Sequence, residues 1–402
     1  MKNKKYLEFL FLIILGALTS LSLPPYNYLF INFITIGLFF IYIYQKKRFG
    51  KKQNSFLYGW FFGFGYFLSN LYWITISLTF DENFNFLIPF ALFLIPLFLG
   101  TFYGLATYCF FIINIKKPVS NLFLFSLLFG ITEFLRGNIL TGFPWNLIAF
   151  SFSENLEILQ ILSFIGTYSF NILCITFFAS PAIFILRENR KEIFICVIFL
   201  LSPIILFSSG SSNIKSFQLS KVINNDYVIR VIGSNIELNR FYGNSDTTEV
   251  INELIEISRP DQKTKIIFLW PEGIIPNVSQ TEFAEFEFLF NEKFNKNHLL
   301  VIGINSYEKN NDKDYFYNTI SLYDHRLDLI KDYKKVKLVP FGEFLPFEKI
   351  LRKIGLKSLT NNYQSFSSGK NRKILSIDTD SFDLEILPLI CYEIIYSGNI
   401  FK

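Results

Sequence analysis

The sequence predicts a multi-pass α-helical membrane domain followed by a soluble α/β domain. Three observations predict it. Apolar runs about as long as a bilayer span crowd the stretch before Ser212. Charged residues there are confined to short clusters between the runs. Beyond that point charge is spread evenly, and short strand patterns alternate with helical ones. The composition agrees: 51% of the 402 residues are hydrophobic, 18% are charged, and the mean hydropathy is +0.34. The net charge of +5 lies in loops rather than on one face of a soluble domain, which argues against a nucleic-acid partner.

A crossing needs about 20 apolar residues. Segments 6–23, 28–45, 56–79, 88–114, 119–136, 161–186 and 193–209 meet the requirement. The first has the basic start of a signal peptide, but Pro24-Pro25 offers no small-x-small cleavage site and a second span follows at once. Orientation follows from the loops. Lys2, Lys4 and Lys5, then Lys46 to Lys52, Lys116-Lys117, and Arg187 to Lys191 all fall on one side. The alternate loops, Pro24–Asn27, Asp81–Asn83 and Asn138–Asn155, contain no Lys or Arg. The basic side is therefore expected to be cytoplasmic, with the N-terminus, and seven crossings carry the chain out. The expected domains are 1–210 in the membrane, a linker at 211–226, and an extracytoplasmic domain at 227–402.

Glu133 and Arg136 stand three residues apart on one face of the fifth span. A charge at membrane depth is a functional candidate, and a structural intrahelical pair is the alternative. Cys109, Cys174 and Cys196 lie in apolar runs and read as small buried hydrophobes; only Cys391 belongs to the soluble part, so no disulfide framework forms there.

In the soluble part, Val228–Ser234, Lys265–Trp270, Leu299–Asn305, Tyr317–Tyr323, Leu327–Asp332, Ile374–Ile377 and Phe382–Ile390 read as strands. Helices are expected at Asp246–Ile257, whose Val250, Ile251, Leu254 and Ile255 share a face, and at Thr281–Phe294, opened by Ser279 and Glu282 as a capping box. No phosphate-binding loop or G-x-S-x-G occurs, and His298 and His325 are too scattered to suggest a metal site. Three reactive residues each follow an apolar strand: Glu272 after Ile267–Pro271, Lys335 after Tyr333, and Cys391 after Leu384–Ile390. Strand carboxyl ends line the crevice of an α/β sheet. There a carboxylate could take the thiol proton, and an ammonium could hold the thiolate and an oxyanion. Singly, a loop Glu, a surface Lys and a buried Cys are ordinary.

Trp270-Pro-Glu272, Tyr333-Lys-Lys335-Val-Lys-Leu-Val-Pro-Phe-Gly-Glu343 and Cys391-Tyr-Glu393 resemble the three signatures of the nitrilase (carbon–nitrogen hydrolase) superfamily. The preceding spans bear Pro24-Pro25, Gly59-Trp-Phe-Phe-Gly63 through Trp73, Glu133-Phe-Leu-Arg136 and Thr141-Gly-Phe-Pro-Trp145. With these the resemblance sharpens to the apolipoprotein N-acyltransferase family, from about residue 10 to the end. It implies a nitrilase-like αββα fold for the second domain. It also implies a ping-pong reaction without a cofactor or metal. Cys391 would take an acyl group from a phospholipid, typically phosphatidylethanolamine, as a thioester. The α-amine of a diacylglyceryl apolipoprotein would then receive it. Glu272 would be the base, Lys335 the thiolate and oxyanion partner, and Glu343 a second essential glutamate, with Tyr392 and Glu393 flanking the nucleophile. Only Asn235-Ile236 survives of the family's opening strand motif, and Asn235 would be its substrate-side residue.

The resemblance further implies a bacterial inner membrane location with a periplasmic catalytic domain. The family continues past the nucleophile through further strands and a final span, so a C-terminally truncated sequence is expected. A membrane-tethered amidase, or a non-catalytic membrane protein, is the competing reading.

Overall fold

The computed structural model describes residues 2–50, 52–79, 82–220, 226–233, 246–275, 277–310, 313–344, 346 and 365–398. The chain divides into two compact units, Met1–Lys221 and Val222–Lys402.

The first unit is helical. Its long helices are α1 (Lys2–Ser20), α2 (Ile31–Arg48), α3 (Ser55–Leu71), α4 (Ile88–Ile112), α5 (Pro118–Asn138), α6 (Leu162–Ala179) and α7 (Lys191–Leu219). Among the described residues, Phe84–Ile112, Pro118–Asn138, Leu162–Leu186 and Lys191–Leu219 are helical stretches long and apolar enough to cross a membrane. Two boundaries differ most from expectation. The run expected at 56–79 is α-helical only to Leu71 and continues as 3₁₀ turns through Thr79. The helix expected to stop at 209 continues to Leu219, so most of the anticipated linker is helix, with no proline or glycine between 211 and 219 to end it.

Packing inside this unit uses phenylalanine heavily. Phe39 stacks on Phe62 at 4.0 Å, and Phe125 and Phe129 meet Phe39 edge-on. Helices α3 and α4 approach closely where the Gly59 N–H donates to Thr107 Oγ1 at 3.2 Å, the small-residue contact typical of helices in lipid.

Glu133 and Arg136 are each 1% exposed. Arg136 Nε donates to Glu133 Oε2 at 2.6 Å, Nη2 donates to the same oxygen, and Nη1 donates to the Phe143 carbonyl at 2.5 Å. Tyr103 Oη donates to Glu133 Oε1 at 2.6 Å. The pair thus pins α4 and the 139–147 turn to α5 and faces protein. Replacing Arg136 by Leu strands Glu133 as a buried, uncompensated charge and is expected to cost about 3–5 kcal/mol of stability. The check is the thermal midpoint in detergent; an unchanged midpoint would deny the pair a structural role.

The second unit is built on a five-stranded sheet in the order β1-β2-β3-β4-β5. The strands are β1 (Val228–Val231), β2 (Ile266–Trp270), β3 (His298–Asn310), β4 (Lys313–Tyr323) and β5 (Leu329–Lys334). Strands β1, β2 and β3 are parallel, and β3, β4 and β5 form an antiparallel meander. Alternation along β2 sends Ile266, Phe268 and Trp270 to one core, shared with Val250, Ile251, Leu254 and Ile255 of α8 (Thr247–Ser258). Asp246 caps α8 by accepting the Thr248 N–H at 2.9 Å. Ile267 and Val301 face the other way, onto Ile377 and Phe382 of the hairpin β6 (Leu375–Asp378) and β7 (Asp383–Ile386).

Two element expectations are corrected. Segment 281–294 is not an α-helix but a 3₁₀ helix at Phe283–Leu289 flanked by turns. Phe283, Phe286 and Leu289 all pack toward the core, and their spacing of three eclipses side chains on a 3₁₀ helix. Glu282 still accepts the Ser279 N–H at 2.9 Å, one half of the expected capping box. Strand β7 stops at Ile386 rather than 390, ahead of Pro388, which has no N–H for a ladder.

Candidate active site

Sheet direction assembles the site. Because β4 reverses the chain between β3 and β5, β5 runs parallel to β2, and their carboxyl ends share one sheet end with the start of β4. Glu272 follows β2, Lys335 follows β5, and Asn318 sits opposite Lys335, whose N–H donates to the Asn318 carbonyl at 2.9 Å. Gly303 of β3 allows Glu272 to lie close: a Cβ there would come within 2.5 Å of the Glu272 Cα.

Lys335 is buried, 1% exposed. Its Nζ lies 2.8 Å from Glu343 Oε1 and 3.6 Å from Glu272 Oε1. The Asn318 amide donates to the same two carboxylates, at 2.5 Å to Glu272 and 2.8 Å to Glu343. The second Glu343 oxygen accepts the Val339 N–H at 2.8 Å. One buried ammonium and one amide therefore hold together two carboxylates that would otherwise repel each other, Glu343 largely buried and Glu272 partly open to solvent.

Cys391 opens a 3₁₀ turn, Cys391–Ile395, in the left-handed region at φ +51°. A non-glycine residue held there costs about 1–3 kcal/mol and persists only where its surroundings over-determine it. The residue is accessible. Partial burial of the sulfur pushes the thiol above its ordinary value, the Glu272 charge pushes it further, and Lys335 and the Tyr392 N–H pull it back. The thiol is therefore protonated at neutral pH and needs a base.

The surroundings are supplied mainly by Glu393, whose side chain is fully buried. Its Oε1 accepts the Val336 and Lys337 N–H groups, each at 3.0 Å, and its Oε2 accepts the Ile390 N–H at 3.0 Å. Tyr333 Oη donates to it at 3.1 Å, and Arg372 Nη2 at 3.2 Å. Tyr392 Oη donates to the Leu338 carbonyl at 2.6 Å, and its ring lies 5.6 Å from Lys335 Nζ. One carboxylate and one phenol thus tie the turn carrying Cys391 to the loop carrying Lys335.

The structure brings Glu272, Lys335 and Glu343 into one hydrogen-bonded cluster, places Cys391 in its field, and puts Tyr392 and Glu393 in the supporting turn. Asn235 lies outside the described residues, and Glu133 and Arg136 belong to the first unit. Sequence reasoning missed Asn318, Tyr333 and Arg372. Asn318 left a signal, an amide in the strand run Tyr315-Phe-Tyr-Asn-Thr319 where asparagine is disfavoured. Arg372 left none in the polar stretch Lys370-Asn-Arg-Lys373. Among the described residues no group of three His, Cys, Asp or Glu could hold a metal.

Comparison with known proteins covers both halves. Residues 15–180 match the apolipoprotein N-acyltransferase N-terminal domain, and residues 236–402 match the carbon–nitrogen hydrolase domain. An apolipoprotein N-acyltransferase of Bradyrhizobium diazoefficiens is 30% identical over 403 residues, spanning 96% of this chain and 73% of that protein. Those of Rhodopseudomonas palustris and Brucella melitensis are 29% and 28% identical, again over 96% of this chain and 73% and 74% of theirs. Matched in both halves and along nearly its whole length, the chain belongs to the apolipoprotein N-acyltransferase family of membrane acyltransferases.

Proposed function

We propose that this protein N-acylates lipoproteins by ping-pong transfer through Cys391, and that the Glu272–Lys335–Glu343 cluster carries the chemistry. Lipoprotein N-acylation is the activity named for its relatives. The observation that carries the mechanism is the buried ammonium of Lys335 beside two carboxylates, with Glu272 and Lys335 both acting electrostatically on a thiol that starts protonated.

Glu272 takes the Cys391 proton as sulfur attacks the ester carbonyl of a membrane phospholipid. This moves a proton within the cluster without changing its net charge. Lys335 faces the thiolate and the tetrahedral oxyanion. The carbon–oxygen bond breaks, Glu272 returns the proton to the departing oxygen, and a lysophospholipid leaves. The α-amine of the diacylglyceryl-cysteine at a lipoprotein N-terminus then attacks the thioester. The carbon–sulfur bond breaks, the amine loses a proton through Glu272, and sulfur regains one. Phosphatidylethanolamine is the proposed donor, and a periplasmic site above the inner membrane is the proposed location, consistent with the loop charges.

The test is full-length protein in vesicles of phosphatidylethanolamine with a diacylglyceryl peptide. An N-acyl amide by mass spectrometry is the expected product. Folded protein that leaves the amine free would overturn the proposal.

A further inference from the structure

We propose that Arg372 is a positioning residue for the nucleophile, holding Glu393 as the charged bracket that sets Cys391 against Lys335. The inference rests on the reading of Cys391 as the acyl carrier.

Arg372 arrives on a segment laid along the end of β5. The Phe366 N–H donates to the Glu343 carbonyl at 2.8 Å, the Ser367 N–H to that of Phe316 at 2.7 Å, and the Gly369 N–H to that of Lys335 at 2.8 Å. Gly369 packs so tightly on the Lys334 carbonyl that a Cβ would collide with it. The segment therefore has little freedom, and the guanidinium it delivers is buried, its side chain 4% exposed. Nη2 meets Glu393 Oε1 at 3.2 Å and Nε meets Tyr333 Oη at 3.4 Å.

Glu393 joins three backbone N–H groups from two different loops and can hold all three only while its carboxylate stays in place. A fully buried anion is tolerated when a cation and hydrogen bonds compensate it, and Arg372 supplies positive charge in a fork that also engages Tyr333. Without it Glu393 is free to turn away, and the Ile390 N–H and the Val336 and Lys337 N–H groups lose their shared acceptor. Cys391, directly after Ile390, is then free to leave its strained left-handed backbone. The groups facing the thiol, Glu272, Lys335 and Glu343, would no longer stand at their present distances from it.

The test compares full-length wild type, Arg372→Met and Arg372→Lys. The pH dependence of Cys391 alkylation by iodoacetamide is read on its own peptide by mass spectrometry, beside thermal midpoint and thioester formation from labelled phosphatidylethanolamine. For Arg372→Met the alkylation midpoint is expected to move by about one pH unit, and thioester formation to fall roughly a hundredfold. A residue that only stabilised the fold would lower the thermal midpoint and leave the alkylation midpoint in place. Folded Arg372→Met with wild-type alkylation and thioester formation overturns the inference. If Arg372→Met does not fold, Arg372→Lys decides. It keeps the charge and loses the fork, so thioester formation should fall about threefold or more, and a wild-type rate overturns the inference. Alkylation needs no lipid. A wild type that forms no thioester therefore refutes the proposed donor, while the alkylation comparison still decides Arg372.

Discussion

Replacing Cys391 by Ala is expected to abolish the acyl adduct on the protein and to lower lysophospholipid release by at least about 10⁴-fold, the scale seen when a covalent nucleophile is removed. The adduct is read as a hydroxylamine-sensitive mass increase on the intact protein. The other three thiols serve as internal controls, since Cys174 and Cys196 are buried and Cys109 is half-buried. The wild-type thiol carries its own pH signature. Its pKa is raised, so the thiolate is scarce at neutral pH and alkylation should still be climbing above the ordinary thiol value. Acyl transfer should already proceed at neutral pH, because in the proposed mechanism Glu272 removes the proton only as attack occurs. An adduct persisting in the Cys391→Ala protein would place the acyl carrier elsewhere.

Lys335→Met should lower thioester formation roughly 10²–10³-fold, the usual cost of one oxyanion-stabilising donor. The variant also leaves Glu272 and Glu343 facing each other with only Asn318 between them, so a lower thermal midpoint should accompany the loss. Lys335 lowers the Cys391 pKa and Glu272 raises it, so two variants separate the roles by sign. Lys335→Met moves the alkylation midpoint further up. Glu272→Gln moves it down, making the thiol more reactive toward iodoacetamide while acyl transfer falls. If Glu272→Gln transferred acyl groups as fast as wild type, Glu272 would not be the base.

Features written in local periodicity were legible before folding. The long apolar runs coincide with long helices because hydropathy over some twenty residues is a sum, insensitive to any one partner. The face of α8 was visible in Val250, Ile251, Leu254 and Ile255. Segment 281–294 was misread because its apolar spacing suits an α-helix and a 3₁₀ helix alike, with Phe283, Phe290 and Phe294 buried and Phe286 and Leu289 packed against the same core. Glu272, Lys335 and Cys391 were named in advance because each follows a strand in a recognisable motif, and Glu343 because it closes the motif that Lys335 belongs to. Asn318 and Arg372 lie in no motif. A polar residue reads as solvent-exposed until its burial is known.

By itself, the sequence determined that an apolar helical part precedes a soluble α/β part, and which residue types could do thiol acyl chemistry. Tertiary structure alone decided their partnership. The reversal at β4 aligns β5 with β2 and brings Lys335 between Glu272 and Glu343, residues separated by tens of positions. Burial then turned Glu393 and Arg372 from ordinary charges into a bracket across two loops. Periodicity records which face of an element is apolar, whereas the register between distant strands and the dielectric around a charge exist only once the chain has packed.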